Sequence, residues 1–520
     1  MTAAASQAGM TWSRRSPQAA DICLIVEGCY PFVPGGVSSW IDWLIRTQPD
    51  TTFSIVSLWP KPGNEQPRYR MPDNAVAFHP LYLQDFGQTP RMRVRVPPGI
   101  DRLGDALAGL MTRGGAERLD AACREMATLS PSFPADMLYN SPVGWSLVKH
   151  MYRSQMPYGS FLHFFWAWRA LMGGLLATLN FPLPQAKVYH TISTGYAGVL
   201  AARARIETGR PMLLTEHGIY TNERRIELLM ADWVADTVEK GYALDDPRLD
   251  LRDMWIHAFE AYARTCYESA TEVITLYGDN QRAQKLLGAP PERSRVIANG
   301  IDVARFAAAG AGARDGRPTM ALIGRVVPIK DVKCFLTAAK ILRGRVPDLR
   351  AYVLGPLDED PEYSASCQAL AAELGLDGCV EFTGTVNVLD YLSKIHVVVL
   401  TSLSESQPLT LLEAGAAGIP VVATHVGSCR EIIEGRADES PRLGAGGFVT
   451  ALVAPSETAA AVQRLLQDPA MRQTCGEALR QRVSQSYTSE QASAAYKDLY
   501  AHYRAAPTER VTQAAKRGVA

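Results

Sequence analysis

In the second half of the chain, short β-branched runs alternate with stretches of helical length. "TMALIGRV", "LRAYVLGP", "CVEFTGTV", "VVVLTS" and "PVVATHVG" are each followed by a helix-like segment. Continuous apolar strands need cover on both faces, and intervening helices supply it when the strands form a parallel sheet. The first half uses the same vocabulary less regularly, in "DICLIVEG", "FSIVSLWP", "KVYHTIS", "PMLLTEHG" and "TEVITLYG". The pattern predicts an α/β protein of two Rossmann-like, doubly wound domains facing across a cleft. Ligands bind such sheets at the carboxyl ends of their strands, so the chemistry is expected there.

A length of 520 residues with 47% hydrophobic composition is more than one ordinary core absorbs. The stretch "FAAAGAGARDGRP", Phe306 to Pro318, is rich in small residues without apolar periodicity and reads as an interdomain linker. The expected division is a polar lead-in at 1–20, a first domain at 21–306 with an insertion near 82–180, a linker at 307–316, a second domain at 317–485, a helix at 486–505 returning to the first domain, and a tail at 506–520. Within the insertion, the Pro- and Arg-rich region from Tyr82 to about Tyr158 reads as irregular or as a helical subdomain.

Lys+Arg and Asp+Glu balance at 53 each, which excludes a general electrostatic attraction to nucleic acid or anionic lipid. Any phosphate site has to be local. Nine scattered cysteines without a CxxC pair fit a reducing, cytoplasmic compartment. The N-terminal stretch has two arginines but no apolar run after them, unlike a secretory signal. "FLHFFWAWRALMGGLLATLN", Phe161 to Asn180, is 20 residues long, yet Arg169 stands mid-segment. A central Arg costs ~2.5–3.5 kcal/mol in a bilayer. The helical spacing of Phe161, Phe164, Phe165 and Trp168 predicts a core helix instead.

Three strand ends carry candidate chemistry. In "ALIGRVVPIKD", Gly324 and Arg325 leave a strand and Lys330 precedes a helix, so two cations five residues apart could clamp a diphosphate, or stand solvated at a surface. In "EGCYPFVPGGVSSW", Gly35 and Gly36 open a helix whose free N–H groups suit a phosphate or oxyanion. In "ESQPLTLLEAGAAG", Glu405 lies in a loop, Pro408 suits a first helical turn, Leu409 and Thr410 follow, and Glu413 lies inside the helix. Paired carboxylates suggest glycoside cleavage, but a helix N-terminus favours ionised carboxylates and opposes the raised pKa of a general acid. Both glutamates are therefore read as acceptors for hydroxyl groups.

Three histidines follow strands in the first half. His217, in "LLTEHGIYTNERR" ahead of Arg224 and Arg225, is read as a cleft residue, His190 as cleft or core, and His79 follows "AVAF". Neither HxH nor HExxH is present, and "DED" at Asp358 to Asp360 reads as an exposed loop, so no metal site is expected.

Together, GGV after the first strand, "GR" with its following Lys, "ANGID", "VGSCREII" and the E-x7-E segment "ESQPLTLLE" resemble the retaining GT-B glycosyltransferases of the glycogen-synthase-like family. More narrowly, "VEGCYPFVPGGVSSW", "STGYAG" and "TEHGIYTNERRIE" resemble the PelF type, the glycosyltransferases of Pel exopolysaccharide systems, from about Asp21 to Tyr500. The resemblance implies a second domain that binds a UDP-sugar, with Gly324, Arg325 and Lys330 at the diphosphate, Glu413 at the ribose and Glu405 at the donor sugar. Pro408, Leu409 and Thr410 belong to the same donor segment. Gly35 and Gly36 would face the phosphate, and His217 would lie near the anomeric carbon. It further implies a growing polysaccharide acceptor, inner-membrane partner subunits of a Pel complex, and no cofactor or metal. Ser406 and Gln407 depart from the family pattern beside Glu405. Two rival readings share the fold: a sugar-nucleotide epimerase and a non-catalytic nucleotide-binding subunit.

Overall fold

Each apolar run named above is a strand. The computed structural model describes residues 19–63, 66–85, 96–129, 137–230, 248, 250–311 and 316–508. The first sheet contains β1 (Ala20–Glu27), β2 (Phe53–Trp59), β3 (Ala75–Tyr82), β4 (Ala186–Thr191), β5 (Met212–Glu216), β6 (Glu272–Thr275) and β7 (Ser294–Val296), in the order β3-β2-β1-β4-β5-β6-β7. The pairs β2/β3, β1/β2, β1/β4 and β4/β5 run parallel. β2 is buried at every residue, as a strand covered on both faces requires.

The second sheet contains β8 (Thr319–Ile323), β9 (Arg350–Leu354), β10 (Val380–Gly384), β11 (Val397–Leu400), β12 (Val421–Thr424) and β13 (Gly447–Thr450), in the order β10-β9-β8-β11-β12-β13. All its pairings are parallel. Two Rossmann-like parallel sheets are thus present, the architecture of the GT-B fold. The edge strands β7 and β13 were not anticipated, being three and four residues long.

The chain separates into two compact units. Unit 1 comprises the described residues up to Ile274, Gln281–Arg295 and those from Tyr496 onward; unit 2 comprises Thr275–Asn280 and Val296–Ala495. This division moves Val296–Phe306 out of the expected first domain. The expected linker at 307–316 also differs from what is seen: Val303–Gly310 is a helix, capped by the Asp302 side chain accepting from the Arg305 N–H at 3.0 Å. Val303, Phe306 and Ala309 pack against the core of unit 2, so the small residues serve close helix packing. Residues 312–315 of that linker lie outside the described residues.

Between β3 and β4 the expected insertion is helical: Ile100–Arg113, Ala116–Leu129, Met137–Asn140, Pro142–Gln155 and Phe161–Asn180. In the last of these, Phe164 and Trp168 are buried in the core, and Phe161 and Phe165 pack against it. Among the described residues, no helix is long and apolar enough to cross a membrane. All nine cysteines are free thiols.

Candidate functional site

In unit 2 the strand order reverses between β8 and β11. Loops leaving the carboxyl ends of strands at such a point diverge and leave a crevice. The loop after β8 carries Gly324, Arg325 and the 3-10 turn Pro328–Lys330, and Asp331 then caps the helix Val332–Arg343 by accepting from Cys334 N–H at 3.2 Å. The loop after β11 carries Thr401 to Pro408 before the helix Leu409–Ala416.

The two loops are stitched together. Lys330 Nζ donates to Glu405 Oε1 at 2.5 Å, and Ser402 Oγ donates to the same oxygen at 2.6 Å. Thr401 Oγ1 donates to the carbonyls of Lys330 and Asp331, both at 2.9 Å, and Leu403 N–H donates to Ile329 O at 2.8 Å. On the other side of β8, its end and that of β9 approach closely: a Cβ on Gly355 would run into the Gly324 carbonyl oxygen.

Of the two cations expected to act together, the structure gives each a different partner. Arg325 Nη1 donates to Glu359 Oε2 at 2.8 Å, with its side chain 55% exposed. Lys330 is the part-buried one. Within "DED", Glu359 holds Arg325, and Asp360 caps the helix Pro361–Glu373 by accepting from Tyr363 N–H at 2.9 Å. Among the described residues, no group of three or more His, Cys, Asp or Glu is arranged to hold a metal ion.

Pro408 has extended backbone and stands just before the helix, with exposed Leu409 as its first residue and half-buried Thr410 next. Glu413 corrects one expectation. Burial pushes its carboxyl up to about 6, with the charge of Arg305 pulling it back down. Five residues into the helix, desolvation outweighs the helix dipole.

A polar cluster beside Glu405 escaped the sequence reading. Asn299 N–H donates to Gln407 Oε1 at 2.7 Å, and Ser428 N–H donates to the Ser406 carbonyl at 2.8 Å. Asn299 Oδ1, Ser406 Oγ, Gln407 Nε2 and Ser428 Oγ are all buried without a hydrogen-bond partner. Buried polar atoms are nearly always paired, so four unpaired ones around one loop single it out as a candidate site for a polar ligand. The available signal was the pair Ser406 and Gln407, where the family pattern breaks.

In unit 1 the order reverses between β1 and β4. After β1 comes the helix Gly36–Arg46, with Gly35 at its cap and no side-chain capping bond. A Cβ on Gly35 or Gly36 would meet nothing within 4 Å, so packing inside the protein does not demand glycine at either position. Glu27, the last residue of β1, crosses the reversal point: Oε2 accepts from Ala197 N–H at 3.2 Å, near the start of the helix Tyr196–Thr208, and Oε1 accepts from Tyr220 Oη at 3.0 Å. Burial raises its pKa.

Glu216, at the end of β5, is fully buried and raised by burial. It accepts from Tyr220 N–H at 3.1 Å, Tyr267 Oη at 2.7 Å and Gln284 Nε2 at 2.9 Å, which fixes the backbone leading into His217. The His217 ring stands edge-on to Trp40, with centroids 4.5 Å apart. Burial pushes its pKa down to about 4, and its Nε2 is buried without a partner. At neutral pH His217 is therefore an uncharged ring with an unused nitrogen. His190 differs: both its nitrogens are bonded, to Tyr500 Oη at 2.8 Å and Thr215 Oγ1 at 2.9 Å, and it is a core residue. His79 lies half-buried in the edge strand β3. Arg224 turns inward to Tyr220 Oη at 3.0 Å, while Arg225 reaches toward Glu260 at 3.9 Å.

Residues 20–292 match the family model described as a domain of unknown function, DUF3492. The chain belongs to that family. Residues 305–482 of this DUF3492 protein match a second model, glycosyl transferases group 1, which contains Arg325, Lys330, Glu405 and Glu413. Among curated proteins, the D-inositol 3-phosphate glycosyltransferase of Streptomyces griseus is 30% identical over 264 residues, 47% of this chain and 54% of that protein. Its counterpart from Streptomyces scabiei is 36% identical over 155 residues, 27% and 35% of the two chains. The chain thus spans about half the length, or less, of these relatives. Among solved structures, a sucrose-phosphate synthase from Thermosynechococcus elongatus superposes with a TM-score of 0.57 at 16% identity, covering 94% of this chain and 100% of that one. Anabaena HepE in complex with UDP and glucose gives 0.55 at 14%, covering 93% and 99%. At these identities the likeness is one of fold.

Proposed function

We propose that this DUF3492 protein is a retaining, UDP-sugar-dependent hexosyltransferase that extends an exopolysaccharide of the Pel type on the cytoplasmic side of a membrane. The observation that carries the reading is the Lys330–Glu405 pair, which joins the two loops at the reversal point of a sheet matched by the group 1 glycosyltransferase model. It puts a cation and a hydroxyl acceptor side by side, as the junction of a diphosphate and a sugar requires. The UDP and glucose named with HepE support the choice of donor class.

In this reading Lys330 and Arg325 hold the diphosphate, Gly324 lets it approach the backbone, Glu405 takes donor-sugar hydroxyls and Glu413 the ribose. The orphaned atoms of Asn299, Ser406, Gln407 and Ser428 complete the polar lining around Glu405. In unit 1, the helix start at Gly35 and Gly36, without a side-chain cap, has N–H groups suited to phosphate, and neutral His217 has a ring nitrogen to offer substrate in a hydrogen bond. The bond from the anomeric carbon to the diphosphate breaks while the acceptor oxygen bonds to that carbon on the same face. The acceptor proton passes to a departing phosphate oxygen, so configuration is retained without a carboxylate nucleophile. Charge developing on the diphosphate meets Lys330 and Arg325, the main catalytic contribution and one that needs no divalent metal.

The deciding experiment incubates the protein with single UDP-sugars and an oligosaccharide acceptor, and follows UDP release together with the anomeric configuration of the product. Acceptor-dependent UDP release with an α-linked product is expected. UDP release without acceptor supports an epimerase, binding without release a nucleotide-binding subunit, and either outcome overturns the proposal.

A further inference from the structure

Two helices of unit 1 turn large apolar side chains to the outside. In Phe161–Asn180, Leu162 and Trp166 are 60% and 59% exposed, and with Phe165 they sit at i, i+3 and i+4, one stripe of the helix. In Pro142–Gln155, Trp145 is 49% exposed and shares a stripe with Lys149 and the exposed Arg153, at i, i+4 and i+8. The stripes meet: the Trp145 ring lies 5.4 Å from Phe161 and 6.2 Å from Phe165, both edge-on. Lys149 Nζ stands 5.9 Å from the centre of the Trp145 ring.

The charged residues that these two helices themselves carry are all basic. The sequence from Met137 to Ile206 contains no Asp or Glu. From the neighbouring helix Ile100–Arg113, Asp101 and Asp105 approach His150 at 3.4 and 2.7 Å, one residue round from the Lys149 stripe. Indole rings beside Lys and Arg are the composition found where protein meets lipid headgroups: rings sit at the acyl boundary while cations reach outward to phosphate. Trp and Arg also suit a protein interface, but Lys is depleted there, and helices that carry only basic charges favour anionic headgroups. A second copy would set two basic stripes against each other.

We propose that Trp145, Leu162 and Trp166, flanked by Lys149 and Arg153, seat the protein directly on an anionic lipid surface. The attraction is local, since the whole chain has no net charge. It is independent of partner subunits and of the catalytic reading.

The test sediments the full-length protein with phosphatidylcholine vesicles, with and without phosphatidylglycerol. Binding is expected only with phosphatidylglycerol, weakening as salt shortens the screening length toward ~3 Å at 1 M. Trp145→Ser/Trp166→Ser and Lys149→Glu/Arg153→Glu should each weaken it at least about tenfold, as loss of apolar burial or of charge demands, while keeping the wild-type circular dichroism and melting temperature. Absence of binding to the anionic vesicles, or binding unchanged in both folded variants, overturns the proposal. So does a dimer in lipid-free solution that these substitutions dissociate, which assigns the face to a second copy, or binding to protein-rich membranes but not to lipid alone, which assigns it to a protein partner.

Discussion

Lys330 and Glu405, 75 residues apart in sequence, share a 2.5 Å hydrogen bond across the point where the second sheet reverses its strand order. Ser402 donates to the same carboxylate oxygen, so Glu405 is held from two sides through Oε1. Arg325, paired with Glu359 at an exposed position, lacks this preorganisation. Lys330→Ala should therefore lower kcat/KM by ~10²–10³, the scale of losing an electrostatic contact to a leaving group. Arg325→Ala should fall less, because its side chain must first leave Glu359. Steady-state kinetics with a saturating acceptor reads both, and a smaller loss for Lys330→Ala than for Arg325→Ala would contradict the assignment.

The same pairing separates donor from nucleotide. Glu405→Gln removes an acceptor for sugar hydroxyls and also releases Lys330 from its counter-charge. Affinity for UDP-sugar should drop by ~1.5–3 kcal/mol, the cost of a charged hydrogen bond. Affinity for UDP should hold or rise, since a freed ammonium meets the diphosphate. Calorimetric titration of the variant with UDP and UDP-glucose checks the contrast; parallel losses would remove Glu405 from the sugar.

Glu413 gives the site a pH dependence. Its carboxyl, pushed up to about 6 by burial, ionises only as pH rises through that value. An ionised carboxylate accepts from both ribose hydroxyls, so UDP-sugar affinity should fall as pH drops from 7 toward 5, and Glu413→Gln should flatten the curve. UDP-glucose is the ligand to titrate, because a terminal phosphate such as that of UDP has its own second pKa near ~6.

His190 governs acid stability instead. Burial pushes its pKa down to about 3, so between the ordinary histidine range and that value the unfolded chain binds a proton that the folded chain does not. Its contribution is complete above about pH 6.5 and is lost as pH falls below it, at ~1.4 kcal/mol per unit. The buried Glu27 and Glu216, raised by burial, act in the opposite direction, so the overall curve does not isolate the histidine. His190→Gln should lower the melting temperature at pH 7, and the deficit should shrink as pH drops toward 5. A deficit independent of pH would mean that His190 does not stay neutral in the fold.

Strands buried on both faces announce themselves as continuous apolar runs, which is why β1, β2, β8 and β11 were legible. β7 and β13 pair on one side only and carry too few apolar residues to stand out. Lys330 was visible from its place after a strand, but which carboxylate it would meet depends on how two loops fold together across 75 residues. Nothing in the sequence marks Glu27 or Glu216 out from other polar residues at strand ends. Their depth arises from the helices Tyr196–Thr208 and Tyr220–Met230 closing over them, and no local pattern carries that information. The outward face of Phe161–Asn180 hid for a related reason: an aromatic run does not reveal which of its rings the core takes.

Tyr496 and Tyr500 belong to unit 1, where they fill the space beside Thr215, His190, Trp40 and Phe53. They follow Arg295, the preceding segment of that unit, by about 200 residues that belong wholly to unit 2. A ribosome working at ~5–20 residues per second needs ~10–40 s to cover that stretch. Throughout it the first unit lacks the two tyrosines whose hydroxyls partner His190 and Thr215 in the finished fold. The half of the protein that is made first is therefore the half completed last.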